Sequence, residues 1–318
     1  MNRLIRWYNK NREQVIISIA IIAFVLTIIY TLNTIIGRKN EEKINNTIAL
    51  NSSTNNSTTI SKTQESIITG DMISTENNNI NTKLIKQFVD FCNNGEIEKA
   101  YNMLSKECKS LFYPNIEYFK KNYYDKIFSI KRMYNLENWF NTSSLCTYYI
   151  KYSEDILDTG TTKSSNNKSD YITVLKEESG YYLNINNYVG RRIRNHIVTQ
   201  DNIIFKINYE DFYINYTVLN ISVTNNTKNV ICIDTKESAN STYLYDENNV
   251  KYTAFLNENA KELIVKRKVT NDINIKFNKL YNPSRTSYGI TFNDIVLNYE
   301  DYEKGESKKV ITSIDIRI

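Results

Sequence analysis

His196 is the sole histidine in 318 residues, so histidine-rich metal sites and histidine-paired nucleophiles lack their central part. No H-E-x-x-H, G-x-S-x-G or G-x-x-x-x-G-K-[ST] pattern occurs, which removes the zincin, serine-hydrolase and P-loop readings together. The four cysteines, Cys92, Cys108, Cys146 and Cys232, match neither zinc-ligand spacing nor a dense disulfide framework. Cys92 and Cys108 form the one candidate disulfide, facing each other across a helical hairpin if the compartment is oxidising. Asp90, set among Phe88, Val89, Phe91 and Cys92, is a candidate buried acid, although a helix surface suits it better. Glu154, Asp155 and Asp158 lack the dense oxygen-ligand loop of a calcium site and read as a solvated hairpin. No catalytic, metal-binding or cofactor-binding residues are therefore assigned, and a non-enzymatic protein is expected.

Arg191, Arg192 and Arg194 make the densest positive patch, a candidate contact for anionic lipid, wall polymer or an acidic partner. The alternative is a strand whose arginines pair locally. Elsewhere the formal charge of +5 is dispersed among acidic residues, which speaks against nucleic-acid binding. Lys266, Arg267 and Lys268 form a second cluster, suited to keeping a strand edge soluble.

The elements that must position these residues begin with a membrane segment. From Gln14 to Gly37 no residue is charged, and those 24 positions span about 36 Å as a helix, enough for a hydrocarbon core of about 30 Å. The exit from the apolar run lacks an A-x-A cleavage site, so an uncleaved transmembrane helix over 15–36 is expected, after a short tail at 1–14. Four basic residues precede the helix (Arg3, Arg6, Lys10, Arg12) against Arg38, Lys39 and Lys43 after it. That balance favours a cytoplasmic N-terminus and an extracytoplasmic bulk. Abundant Asn, Ile, Lys and Tyr with scarce Pro and Gly suit a bacterial source with an A/T-rich genome. Residues 37–80, rich in Asn, Ser and Thr, read as a flexible polar tether.

Beyond the tether, Leu84, Ile85, Phe88, Val89 and Cys92 repeat at helical spacing, Asn94-Gly95 offers a stop, and Ile97, Ala100, Tyr101 and Leu104 form a second stripe. Asn115 is placed to cap a third helix. The period then falls to two, most cleanly at Cys146, Tyr148, Ile150 and Tyr152, and again around Tyr171 to Leu175 and Tyr181 to Ile185. Helices followed by an antiparallel meander predict an α+β domain over 81–192. The segments FVDFCNNGEIEKAYNMLS, YPNIEYFKKNYY and GYYLNINNY resemble the nuclear-transport-factor-two-like fold, a helical cone on a curved sheet. That resemblance covers about a third of the chain; the family includes isomerases, dehydratases and non-catalytic envelope or secretion-apparatus domains, so it implies no one activity.

Residues 193–202 read as a linker. From Ile203 to the C-terminus short alternating segments separated by Asn, Asp and Gly predict a β-sandwich over 203–318, with a phase change near Phe212 to Val223 that suggests a bulge. The segment YTVLNISVTNNTK, starting at Tyr216, resembles a strand and turn of immunoglobulin-like adhesion domains, without the paired cysteines and Trp of antibody domains. The expected whole is a single-pass cell-envelope protein whose partners are the bilayer, through 15–36, and envelope or secretion-apparatus proteins. Two other readings stay open: a component of a conjugation or secretion assembly, and a cavity protein with small-ligand or isomerase chemistry.

Overall fold

Ser74 starts the first helix: its hydroxyl accepts from Asn77 N, one of the amides a helix end leaves unpaired. In the computed structural model, which describes residues 66–68, 72–154, 167–238, 240–256 and 261–318, this helix, α1, runs Thr75–Asn93. Its buried face is Asn78, Asn81, Thr82, Ile85, Phe88, Val89 and Cys92, a stripe at helical period. Glu96 N donates to Phe91 O and Gly95 N to Cys92 O, the paired closure that needs a left-handed residue, here Gly95 at φ +73°. Short helices follow: α2 (Ile97–Asn102), α3 (Lys106–Phe112), α4 (Ile116–Phe119, capped by Asn115 as expected), a π-helical turn (Lys120–Tyr124) and α5 (Asp125–Ile127).

Among the described residues fourteen strands come next, joined by antiparallel pairings. The first four are β1 (Arg132–Asn141), β2 (Leu145–Glu154), β3 (Lys168–Glu177) and β4 (Gly180–Asn184), in spatial order β1-β2-β3-β4. The other ten are β5 (Tyr188–Gln200), β6 (Ile203–Tyr213), β7 (Thr217–Asn225), β8 (Ile231–Cys232), β9 (Thr242–Asp246), β10 (Lys251–Phe255), β11 (Ile264–Val265), β12 (Thr270–Phe277), β13 (Ser287–Val296) and β14 (Ile311–Arg317), with a helical turn α6 (Tyr299–Glu303) before the last. They form one sheet, ordered β11-β8-β13-β9-β10-β12-β7-β6-β5 with β14 on β13. The protein is thus mixed α+β and mostly antiparallel β.

The five helices bury Phe88, Val89, Cys92, Phe119 and Tyr123 against Leu136, Tyr148, Ile150 and Ile172 of the small sheet. The large sheet closes over itself. Phe205 on β6 stacks on Phe292 on β13 at 5.6 Å, although the two strands stand five places apart in the sheet. A third cluster, Phe140, Val189, Phe212 and Ile214 with Tyr281 against it, joins the two sheets.

Three expectations change. The polar stretch 37–80 ends in structure: α1 begins six residues before 81, and Ile67 N and Ile68 N donate to Asn138 O and Trp139 O on the edge of β1. Asn78 escaped notice because it is polar, yet it is buried and accepts from Tyr148 Oη at 2.8 Å. The supposed linker 193–202 is the second half of β5 and its turn into β6, with Asp201 and Asn202 at φ 52° and 61°, the left-handed pair of a two-residue hairpin. The phase change comes from a bulge between Ile207 and Tyr209 and from the turn after Tyr213, not from β7. The segment 15–36 lies outside the described residues, and among these no helix is long and apolar enough to cross a membrane.

Candidate functional site

The most completely buried acid in the helical part is Asp170 on β3, which the sequence did not single out. It accepts from Asn186 N at 2.9 Å, Asn187 N at 3.0 Å, Tyr171 N at 2.7 Å and Tyr123 Oη at 3.0 Å. Asn186 and Asn187, both at φ 62°, form the tight turn between β4 and β5, so the carboxylate fastens that turn. Its surroundings are closed by Tyr123, Tyr152, Phe119 and Phe128, with Tyr123 and Tyr152 hydroxyls 3.3 Å apart. Burial, opposed by the backbone donors at Asn186 and Tyr171, pushes the carboxyl up to about 6.

A carboxyl raised in the folded state holds a proton that the unfolded chain has already released. Between its ordinary range, about 4, and about 6 the folded state therefore binds more protons, and Asp170's contribution to stability falls as pH rises through that window. Above it the contribution is flat. Urea midpoints of the protein and of Asp170→Asn should converge from pH 4 to 6 and run parallel from 7 to 8; a gap that widens with pH would show the opposite shift.

The arginine run divides. Arg191 donates through Nε and Nη2 to the two oxygens of Asp211, each at 2.7 Å, and stacks on Tyr209 at 3.6 Å. Arg194 pairs with Glu210 at 2.6 Å and donates to Ser287 O; Ser287 Oγ donates to the other oxygen of Glu210, which is fully buried. Local pairing thus absorbs two of the three charges. Arg192 is exposed, lies 5.3 Å from the Phe212 ring, and makes no ion pair among the described residues.

Arg192 instead lines a cleft of about 390 Å³ where the two sheets meet. Thr142, Ser143 and Ser144 of the β1–β2 turn form one wall, Lys176 and Glu177 of β3 another, and Gly190, Phe212 and Tyr281 the rest. Lys176 is exposed and has no ion-pair partner among the described residues. A smaller cleft of about 170 Å³ adjoins it at Gly190 and Arg191, lined also by Glu107, Glu177 and Ile193.

Along the same strand runs an open sheet edge. The small sheet covers its edges: Leu183 N donates to Met103 O and Ser105 N to Leu183 O beside β4, while residues 66–68 lie on β1. At β14, Gln200 Nε2 donates to Ser313 O. β5, thirteen residues long and last in its sheet, pairs among the described residues only with β6. The closing pair Gln200 and Ile203 of a two-residue hairpin exchanges both hydrogen bonds, so the alternate residues Thr199 and Ile197 aim their N–H and C=O outward. Ile193 and Ile197 are 61% and 59% exposed, well outside any core. Such an edge is a template for another strand. Sequence reasoning missed it because the segment reads as polar and basic; Asp211 and Glu210, which follow the Asp201-Asn202 turn and pair Arg191 and Arg194, were the available signal.

The other candidates lie apart. Cys92 and Cys108 form no disulfide: all four cysteines are free and buried. Burial pushes the Cys108 thiol up to about 12 and the Cys232 thiol to about 11. Ellman's reagent should therefore find almost no reactive thiol in the native protein and four in denaturant; rapid native reaction of even one would contradict this burial. Asp90 is half exposed and bonded to Lys86 at 2.6 Å, on the outer face of α1. Glu154 is partly exposed at the end of β2, and Asp155 and Asp158 lie outside the described residues. Among the described residues no three His, Cys, Asp or Glu converge on a point a metal ion could occupy. Compared with family models, curated proteins and solved structures, the chain matches none.

Proposed function

We propose that this chain is a membrane-anchored, non-enzymatic cell-envelope protein whose extracytoplasmic part holds protein partners by adding a partner strand to β5. The observation that carries this is the edge of β5 around Ile197 and Thr199, which among the described residues no strand of the chain pairs. Main-chain hydrogen bonds along such an edge supply affinity, and side chains beside it supply choice of partner. The anchor at 15–36 and its orientation rest on hydropathy and on the basic-residue balance.

Two finer fold assignments go with this proposal. The helices on one face of the four-stranded sheet support a nuclear-transport-factor-two-like arrangement, and the Phe205–Phe292 contact supports an immunoglobulin-like sandwich. A cavity enzyme is disfavoured, since the four donors on Asp170 and the rings around it leave the carboxylate engaged. Membership of a conjugation or secretion assembly is a special case that partner identity separates: transfer ATPases or their associates would mark it.

Photocrosslinking in cells tests the proposal. Benzoylphenylalanine in place of Ile197 should yield discrete protein adducts, while the same group in place of Lys83, exposed on α1, should yield none. Repeated absence of adducts at 197 would count against strand addition.

A further inference from the structure

The cations of the junction cleft identify the chemistry of the partner, given the strand addition proposed above. Gly190 and Arg191 line both clefts, so the two meet at the N-terminal end of the open β5 edge. A Cβ added at Gly190 would touch nothing within 4 Å, which leaves that backbone open to approach. Arg191 and Arg194 are neutralised by Asp211 and Glu210, so the cations left over at this end of the edge are Arg192 and Lys176, with Glu177 lining both clefts and Glu107 the smaller one. Glu177 is the one carboxylate lining the larger cleft. Hydroxyls of Ser143 and Ser144 stand in the same wall as further donors, while that of Thr142 donates to Leu145 O.

We infer that the added strand is an extended acidic segment of a protein partner, its backbone paired to β5 and its carboxylates held in the junction cleft by Arg192 and Lys176. A guanidinium without an internal carboxylate, beside an ammonium and hydroxyls, matches the planar carboxylate geometry that arginine binds bidentately. A second copy of this chain fits poorly. β5 carries no acidic residue, so a second β5 laid on this edge would bring no carboxylate to Arg192 and Lys176. An anionic membrane surface offers the charge but no backbone, and leaves the outward amides of Ile197 and Thr199 without partners.

The test uses the full chain in neutral detergent and a fluorescein-labelled decapeptide of alternating Glu and Val, read by anisotropy, against the Lys-Val counterpart. The Glu-Val peptide should bind at least about tenfold more tightly, and Arg192→Glu with Lys176→Glu should weaken it by a further tenfold or more. Ile197→Pro removes one outward amide without touching the bonds to β6, and should weaken it comparably, whereas Ile197→Thr should not. Equal binding of both peptides, or loss with the charge variants but not with Ile197→Pro, would overturn the inference. So would Arg192-dependent sedimentation with phosphatidylglycerol vesicles in the absence of peptide binding. Cellular adducts at position 197 that survive the charge reversals would sink the acidic segment while leaving strand addition intact; no adducts in the unaltered chain would sink both.

Discussion

Glu210→Ala should destabilise the protein by about 3–5 kcal/mol, the cost of leaving a buried ion pair half made. Glu210 is fully buried, and the side chain of Arg194 is only 12% exposed, so the guanidinium left behind has little access to water. Ser287 loses its acceptor in the same stroke. Lys279 aggravates the loss: its side chain is buried, its ammonium donates to Arg285 O, and Glu210 is among the carboxylates whose charge offsets the burial that lowers its pKa. Removing Glu210 takes that compensating charge from the Arg194 guanidinium and the Lys279 ammonium alike, in a poorly solvated place. The urea midpoint measures the loss, and Glu210→Met with Arg194→Met should recover most of it, because an apolar pair leaves no buried charge. A loss under about 1 kcal/mol would mean that water reaches the pair.

Phe205→Ala should cost a similar amount, about 3–5 kcal/mol, because the ring is buried and its removal opens a cavity in the core of the large sheet. The stronger statement concerns its partner. β6 and β13 are distant along the sheet, so Phe205 and Phe292 meet only because the sheet closes on itself. A double-mutant cycle should return a coupling of about 0.5–1.5 kcal/mol. Strict additivity would describe a sheet that stays open.

How far these features could be read from sequence depends on where their partners lie. β2 was legible because Cys146, Tyr148, Ile150 and Tyr152 carry the alternation within four local steps. The cap at Asn115 was legible too, since cap and amide are three residues apart. α1's first turns were hidden by Asn78, Asn81 and Thr82, polar residues buried against a strand some seventy positions away. The second half of β5, 193–202, reads as a linker, although three arginines in four residues also fit a strand whose arginines pair locally. What makes them strand residues is Asp211 and Glu210, across the hairpin. Asp170 was passed over for the reverse reason: an acid in a strand looks exposed until the turn at Asn186 and Asn187 is folded over it. The cleft at Arg192 joins segments fifty residues apart and had no local signature.

The claim that β5 is an open edge awaiting a strand is tested most directly by amide exchange, resolved to single residues, on the free chain and on its complex with the Glu-Val peptide. In the free chain Ile197 and Thr199, whose amides face outward, should exchange rapidly while Val198 and Gln200, bonded to β6, are protected. In the complex Ile197 and Thr199 should become protected to a similar degree. Slow exchange at all four positions in the free chain would mean that the edge is already covered, and unchanged exchange at Ile197 and Thr199 in the complex would mean that the partner binds without adding a strand.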